Sequence, residues 1–367
     1  MRSQESCQPT GAGALSWPVL SAIFGRIGAG PKEGATNSMF DAMKKNSLTL
    51  VIGAVMFLLT AGPSRAQDKS GPEKVRIAIA TSSMAFLVPF VAKDRGFYAK
   101  HGSEVELIVM RPNIAMAALL GGDIDYAELI GSIIRSAARN LPVRAISTSI
   151  KAPFFSVIGQ NKFKSIKDLK GAVIGLTSIG GTNHVSTRMT LKQFGMDIDK
   201  DVKILAIGEE KLMVDTFKMG RVDAIVVAPP FSVQLKREGF PILANTSDHV
   251  VIPFSGLGAT QEKIKTNRAQ VKKVLKAEIE ALRFIHGNAA GTIEVIRKRF
   301  NMDEKLARES YDAVVNSFSR DGRVPLDGVD ILLQIEKDAK VIPATVTPQM
   351  IVEASLAEEA LKELGGK

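Results

Sequence analysis

One pattern of strands, helices and helix stops occurs twice in this chain, and that repetition constrains the fold more than any other feature. Gly122-Asp123-Ile124-Asp125 matches Gly220-Arg221-Val222-Asp223 at a spacing of 98 residues. Around the first copy, the strand-like runs VRIAIA (75–80), EVELIVM (104–110), IDYAEL (124–129) and VRAIST (143–148) alternate with helical stretches at 86–93, 114–120 and 132–139. Around the second, GAVIGL (171–176), VKILAI (202–207), VDAIVV (222–227) and FPILA (240–244) alternate with helical stretches at 185–194, 210–219 and 231–237. Alternating strands and helices, with glycine where a helix needs a left-handed stop, predict an α/β fold on largely parallel sheets. Two copies in register predict two similar lobes, each a βαβαβ core or a little more.

Two segments break the alternation. APFFSVIGQN (152–161) and VVIPFSGLGA (250–259) are β-branched and aromatic, flanked by proline and glycine, and read as crossings out of lobe one and back. Behind the second come only helices, the first at 267–286 with Val271, Val274, Leu275, Ile279, Leu282 and Ile285 at three-to-four spacing. Others are expected at 291–300, 303–315, 328–339 and 348–364, all packing on lobe one. Lobe one is thus expected at 74–155 and 256–367, and lobe two at 156–255. Two lobes joined by two crossings make a hinge with a cleft, the usual place to hold a small ligand.

Residues 1–66 read as a leader. Lys44 and Lys45 precede an apolar run from Leu48 to Leu59, and Ser64-Arg65-Ala66 places small residues where a signal peptidase cuts, so residues 43–66 are expected to be a secretion signal starting at Met43 or Met39. The apolar run is too short for a membrane span, which needs roughly 20 residues. Both Cys7 and Trp17, the chain's one cysteine and one tryptophan, fall in the leader. The mature part then has no disulfide, thiolate site or cysteine nucleophile, and no lipid-bearing cysteine follows the signal. It keeps 42 Lys+Arg against 35 Asp+Glu, dispersed along the chain. No basic stripe interleaved with aromatics is present, which excludes nucleic acid as a partner. His101, His184, His249 and His286 show no ligand spacing, so neither a metal nor another cofactor is expected. A free periplasmic monomer is the expectation.

In open α/β sheets, ligands sit beyond the carboxyl ends of the strands, facing backbone N–H groups. The corners so predicted are Ser82 and Ser83 after the first strand, Arg111 and Asn113 after the second, and Gly131 and Ser132 after the third. In lobe two they are Thr177, Ser178, Gly180, Gly181, Thr182 and His184 after the first strand, then Pro229 and Phe231. The lobe-two segment GLTSIGGTNH (175–184) resembles a phosphate loop in its glycines and Thr182, but Gly181 stands where the lysine belongs. It reads instead as a nest of N–H groups for a modest anion, with Thr182 capping the next helix. Arg111 is a candidate for pairing an anionic head group, and Phe86, Phe154, Phe155 and Phe231 are candidate walls, with Phe254 at the return crossing. A catalytic alternative pairs His184 as general base with Glu128 or Glu209 as orienter.

Taken in order, KVRIAIA, DRGFYAKHG, ALLGGDIDYAE, SIKDLKGAVIGLTSIGGTNH and GRVDAIVVAPP resemble the periplasmic solute-binding proteins of ABC importers. Within them the chain is similar to the group handling nitrate, alkanesulfonates, taurine and thiamine pyrimidine precursors, from Lys74 to about Phe318. The resemblance implies a type II, two-lobe Venus-flytrap fold and closure on a small, anionic organic ligand. It also implies delivery to an ABC permease with its ATPase subunit, and ligand contacts from the corners after the strands. It implies binding rather than catalysis: the chain lacks the cysteine-rich motif of the pyrimidine-forming eukaryotic relatives, with an enzyme or a pyrimidine-precursor-handling protein on the same fold as the alternative. Its lack of a mature tryptophan departs from members that stack flat ligands on one. Secreted protein purified from the native host is expected to begin at Gln67 by N-terminal sequencing; a chain beginning at Met1 would contradict the leader.

Overall fold

Apolar strands in this chain assemble into two five-stranded sheets. The computed structural model describes residues 71–365; the expected leader and signal lie outside the described residues. In the first sheet, β1 (Glu73–Ile79), β2 (Ser103–Val109), β3 (Tyr126–Ala127) and β4 (Val143–Ala145) alternate with α1 (Leu87–Asp94), α2 (Phe97–Lys100), α3 (Pro112–Gly121) and α4 (Ile130–Ala138). In the second, β5 (Ser156–Gly159), β6 (Val173–Leu176), β7 (Lys203–Ala206), β8 (Ala224–Val227) and β9 (Ile242–Asn245) carry α5 (Thr182–Gln193), α6 (Glu210–Lys218) and α7 (Phe231–Arg237). The chain returns as β10 (Gly258–Thr260). It continues through α8 (Gln261–Thr266), α9 (Arg268–Gly287), α10 (Ala289–Phe300), α11 (Glu304–Val314), α12 (Leu326–Asp338), α13 (Pro348–Ile351) and α14 (Ser355–Glu363).

The sheets have the same topology. Their strand orders are β2-β1-β3-β10-β4 and β7-β6-β8-β5-β9. In each, four strands run in one direction, and the fourth position is an antiparallel strand from the crossing that enters that sheet, β10 in one and β5 in the other. The repeated G-x-[IV]-D motif has an equivalent role in both. Gly122 and Gly220 adopt positive φ at the helix end. Asp125 then accepts the N–H of Arg76 on β1 at 2.9 Å, and Asp223 accepts the N–H of Val173 on β6 at 3.0 Å. Lysines beyond the crossing strands, Lys263 and Lys162, pair with these carboxylates at 2.7 and 2.8 Å. The motif latches the first strand of each sheet rather than serving a ligand.

Period-two alternation buries both faces of each sheet. Val75 and Ile77 of β1 pack beneath α1, α9 and α14, while Ala78 and Ile79 pack against α3, α4, α12 and α13. In the second sheet, Val157, Ala224 and Val226 face one cluster, and Ile158, Ile225 and Val227 the other. The C-terminal helices pack on the first sheet, and α9 buries the apolar stripe read from its spacing. The helix expected over 348–364 is interrupted. Val352 is extended and bridges Ala145 in parallel, and the N–H of Glu353 donates to the Ala145 carbonyl at 2.9 Å. Satisfying the edge of β4 outweighs one more helical turn.

The two crossings run side by side. Ile150 bridges Ser255 antiparallel, and the N–H of Phe254 donates to the Ile150 carbonyl at 2.9 Å. Gly256 leaves no room for a side chain, since a Cβ there would lie 2.3 Å from the Ser147 carbonyl oxygen. Glu128, fully buried just after β3, ties both crossings to the first sheet: Ser149 Oγ donates to its Oε1 at 2.5 Å and Ser255 Oγ at 3.3 Å. Burial pushes its carboxyl up to about 7 despite those two hydroxyls. The folded state therefore holds a proton that the unfolded chain releases near 4.5. Stability falls as pH rises from that value to about 7 and is lowest above it. Glu128→Gln keeps an acceptor for the two serines and removes the charge. Thermal unfolding should show the wild type losing stability relative to this variant between about pH 5 and pH 8; a difference independent of pH would contradict the assignment.

Candidate ligand-binding site

A cavity of about 930 Å³ opens between the two sheets. The first-sheet wall is the turn Thr81–Ala85 after β1, together with Arg299–Met302 at the end of α10. The second-sheet wall is Thr177 after β6, Gly208–Lys211 after β7, and Ala228–Phe231 after β8. Phe154, Phe155 and Phe254 from the two crossings line it between these walls. Their rings meet edge to face, Phe254 lying 5.4 Å from Phe154 and 5.3 Å from Phe155 between centroids. Such contacts orient the rings beyond what burial alone would do. The cavity thus has aromatic packing where the chain crosses and polar groups at the strand ends.

Of the residues predicted from sequence, the structure brings Ser82, Ser83, Phe154, Phe155, Thr177, Pro229, Phe231 and Phe254 to the cavity wall, while Phe86 packs in the first-sheet core. The others lie elsewhere. Arg111 and Asn113 are exposed, Arg111 standing at the N-cap of α3. Gly131 and Ser132 lie within the first turn of α4, half-buried, with Ser132 Oγ accepting from the Arg135 guanidinium at 3.5 Å. Ser178, Gly180, Gly181, Thr182 and His184 form the turn that leads into α5 and are not among the residues lining this cavity. His184 Nδ1 accepts the Gly180 N–H at 3.3 Å, and Asn183 Oδ1 accepts the Thr177 N–H at 3.4 Å. Asn183, itself buried, anchors the turn by donating to the Val226 carbonyl at 2.9 Å. Gly181 is the N-cap residue, and Thr182, expected to cap the helix, is its first helical residue with no capping bond. Gly180 supplies the positive φ of 78° that the turn requires.

His184 is 7% exposed, and its imidazole is held below its ordinary pKa by burial and then by the nearby Arg188, with Asp199 opposing. Neither Glu128 nor Glu209 is a hydrogen-bond partner of its ring; Glu128 is committed to the crossings. The proposed base and orienter are therefore not assembled. Among the described residues, no cluster of three or more His, Cys, Asp or Glu is placed to hold a metal ion, and no helix is long and apolar enough to cross a membrane.

Three wall residues, Gly208, Glu210 and Lys211, went unrecognised in the sequence, and Glu209 was read only as a catalytic orienter. All four follow the second strand of lobe two, as Arg111 and Asn113 follow the second strand of lobe one, so the strand-end rule was sufficient to name them. Glu210 Oε1 accepts the Ala228 N–H at 3.1 Å, and burial raises its carboxyl to about 7 against that one bond. Arg299 reaches the rim but is committed elsewhere: it pairs with Asp94, Nε to Oδ2 at 2.7 Å, and lies over the Phe90 ring at 5.0 Å. Asn301, in the left-handed conformation, ends α10 and turns Met302 toward the cavity wall.

Two topologically equivalent α/β lobes, paired crossings and a cavity between the sheets define a type II periplasmic solute-binding fold. The periplasmic aliphatic sulphonate binding protein SsuA from Escherichia coli matches it with a TM-score of 0.64 at 19% identity, over 78% of this chain and 100% of that one. The periplasmic nitrate-binding protein NrtA from Synechocystis matches with a TM-score of 0.64 at 17% identity, over 80% and 89%. In sequence, residues 68–298 match the NMT1-like family, and the chain belongs to that family. A putative binding protein of Brucella abortus is 28% identical over 261 residues, 68% of this chain and 78% of that protein.

Proposed function

We propose that this protein is the extracytoplasmic solute-binding component of an ABC importer. It captures a small organic solute with an anionic head between its lobes and delivers it to a permease and ATPase pair. The observation that carries this reading is the cavity itself, walled by both sheets and by both crossings. A ligand touching both walls favours the closed arrangement by its differential contacts with the two states, and a closed form is what a permease can distinguish. Membership of the NMT1-like family and the likeness to sulphonate- and nitrate-binding folds support the same reading. Residues 74–155 with 256–367 and residues 156–255 are the lobes that move, and export uses the signal at 43–66.

The polar head is assigned to Ser82, Ser83 and Thr177, whose hydroxyls lie on opposite walls. The apolar body rests on Phe154, Phe155 and Phe254. Nitrate alone would leave most of that phenylalanine surface uncovered, so an organic sulfonate or carboxylate fits better. A thermal-shift screen of sulfonates, carboxylates, nitrate and pyrimidines tests the assignment. A ligand at 100-fold excess over its dissociation constant should add about 2.7 kcal/mol of stability. Phe254→Ala should weaken that ligand at least tenfold by titration calorimetry while the variant still melts cooperatively. Stabilisation by neutral compounds only would remove the anionic head, and a ligand unaffected by Phe254→Ala would move the site elsewhere.

A further inference from the structure

The second-sheet wall presents a carboxylate where an anion-binding wall would present N–H groups. Ala228 follows β8, and its N–H is one of the donors that a strand end offers to a ligand. Here the protein occupies that donor itself, through Glu210 Oε1 at 3.1 Å. Glu210 is half-buried in the cavity wall, and among the described residues no lysine or arginine forms an ion pair with it. No protein donor among the described residues bonds its second oxygen, Oε2. Glu209 beside it adds another acid to the same wall, and the wall's Lys211 is directed to Asp215, Nζ to Oδ2 at 3.5 Å. The rim cation Arg299 is already held by Asp94 and offers no compensation.

Above about pH 7, where Glu210 is ionised, an occupant bearing only acceptors would bring its lone pairs against the carboxylate and forgo the hydrogen bond that a donor makes. An occupant with an N–H donor would satisfy Oε2 while Oε1 keeps Ala228. The remaining wall is aromatic: Phe154, Phe155 and Phe254 between the lobes, with Phe231 on one side and Phe300 on the other. Edge-to-face phenylalanines leave ring faces and edges on which a flat ring packs well.

Building on the reading of the cavity as the solute site, we propose that Glu210 selects an amino group on the ligand, and that the ligand class is amino-substituted aromatic acids. The acid head meets Ser82, Ser83 and Thr177, the ring lies on the phenylalanines, and the amino group donates to Glu210 Oε2. Selection is then by hydrogen-bond complement, since a site built around an unpaired acceptor discriminates strongly against an analogue lacking the donor.

Titration calorimetry with matched pairs tests this: 4-aminobenzoate against benzoate, and 4-aminobenzenesulfonate against benzenesulfonate. In the wild type the amino member of at least one pair should bind tenfold or more tightly than its parent. Glu210→Gln retains a carbonyl oxygen for Ala228 and turns an NH2 toward the ligand, so the preference should fall below threefold. Glu210→Asp, which keeps the charge but shortens its reach, should also lose the preference. Unliganded melting of each variant separates this from misfolding. Equal affinity within both pairs, or an amino preference that survives Glu210→Gln, overturns the proposal. Absence of binding by all four compounds also overturns it. Stabilisation by nitrate or a simple alkanesulfonate in that last case leaves the solute-binding reading standing, whereas failure of these too counts against that reading.

Discussion

The structure depends on one topological constraint: each sheet is completed by an antiparallel strand from the segment that crosses into it. Because β5 and β10 are interior strands, the chain passes twice between the lobes, and the two passages lie against each other through Ile150, Phe254 and Ser255. Glu128 binds both passages to the first sheet, and the three phenylalanines they carry form the surface between the walls. On the proposed reading, hinge and binding surface are the same residues, so lobe movement would change the spacing of the walls while this aromatic surface stays at the pivot.

Few other contacts join the two halves strongly. Arg237 of α7 pairs with Glu309 of α11 at 2.8 Å, but both side chains are partly exposed, and such surface pairs contribute little. On the proposed reading, a ligand's contacts with both walls would decide whether the lobes are open or closed.

Much of this was legible in the sequence because its causes are local. Period-two strands, glycine stops and the apolar stripe of α9 are set by neighbouring residues, and the repeated motif reported two equivalent lobes. What the motif does was not legible: Asp125 and Asp223 meet their N–H partners on strands about fifty residues earlier. The break at Val352 depends on the edge of β4, which is far away in sequence. In the glycine-rich turn at 178–184, the bonds from Gly180 N–H to His184 and from Thr177 N–H to Asn183 depend on how the first helical turn folds back, which the spacing of the glycines does not report. Glu210 was overlooked although the strand-end rule covered it; its importance came from Ala228, a residue on another corner.

The cavity is lined by Ser82, Ser83 and Thr177 at the strand ends, by phenylalanines from the crossings, and by Glu209, Glu210 and Lys211 on the lobe-two wall. The most direct test of the account is a crystal structure of the protein with a compound that stabilises it. The account predicts the compound between the lobes, its head within hydrogen-bonding distance of Thr177 and of Ser82 or Ser83, and its body against Phe254. A ligand seated on the turn at Ser178–Thr182, or one touching a single lobe, would contradict it.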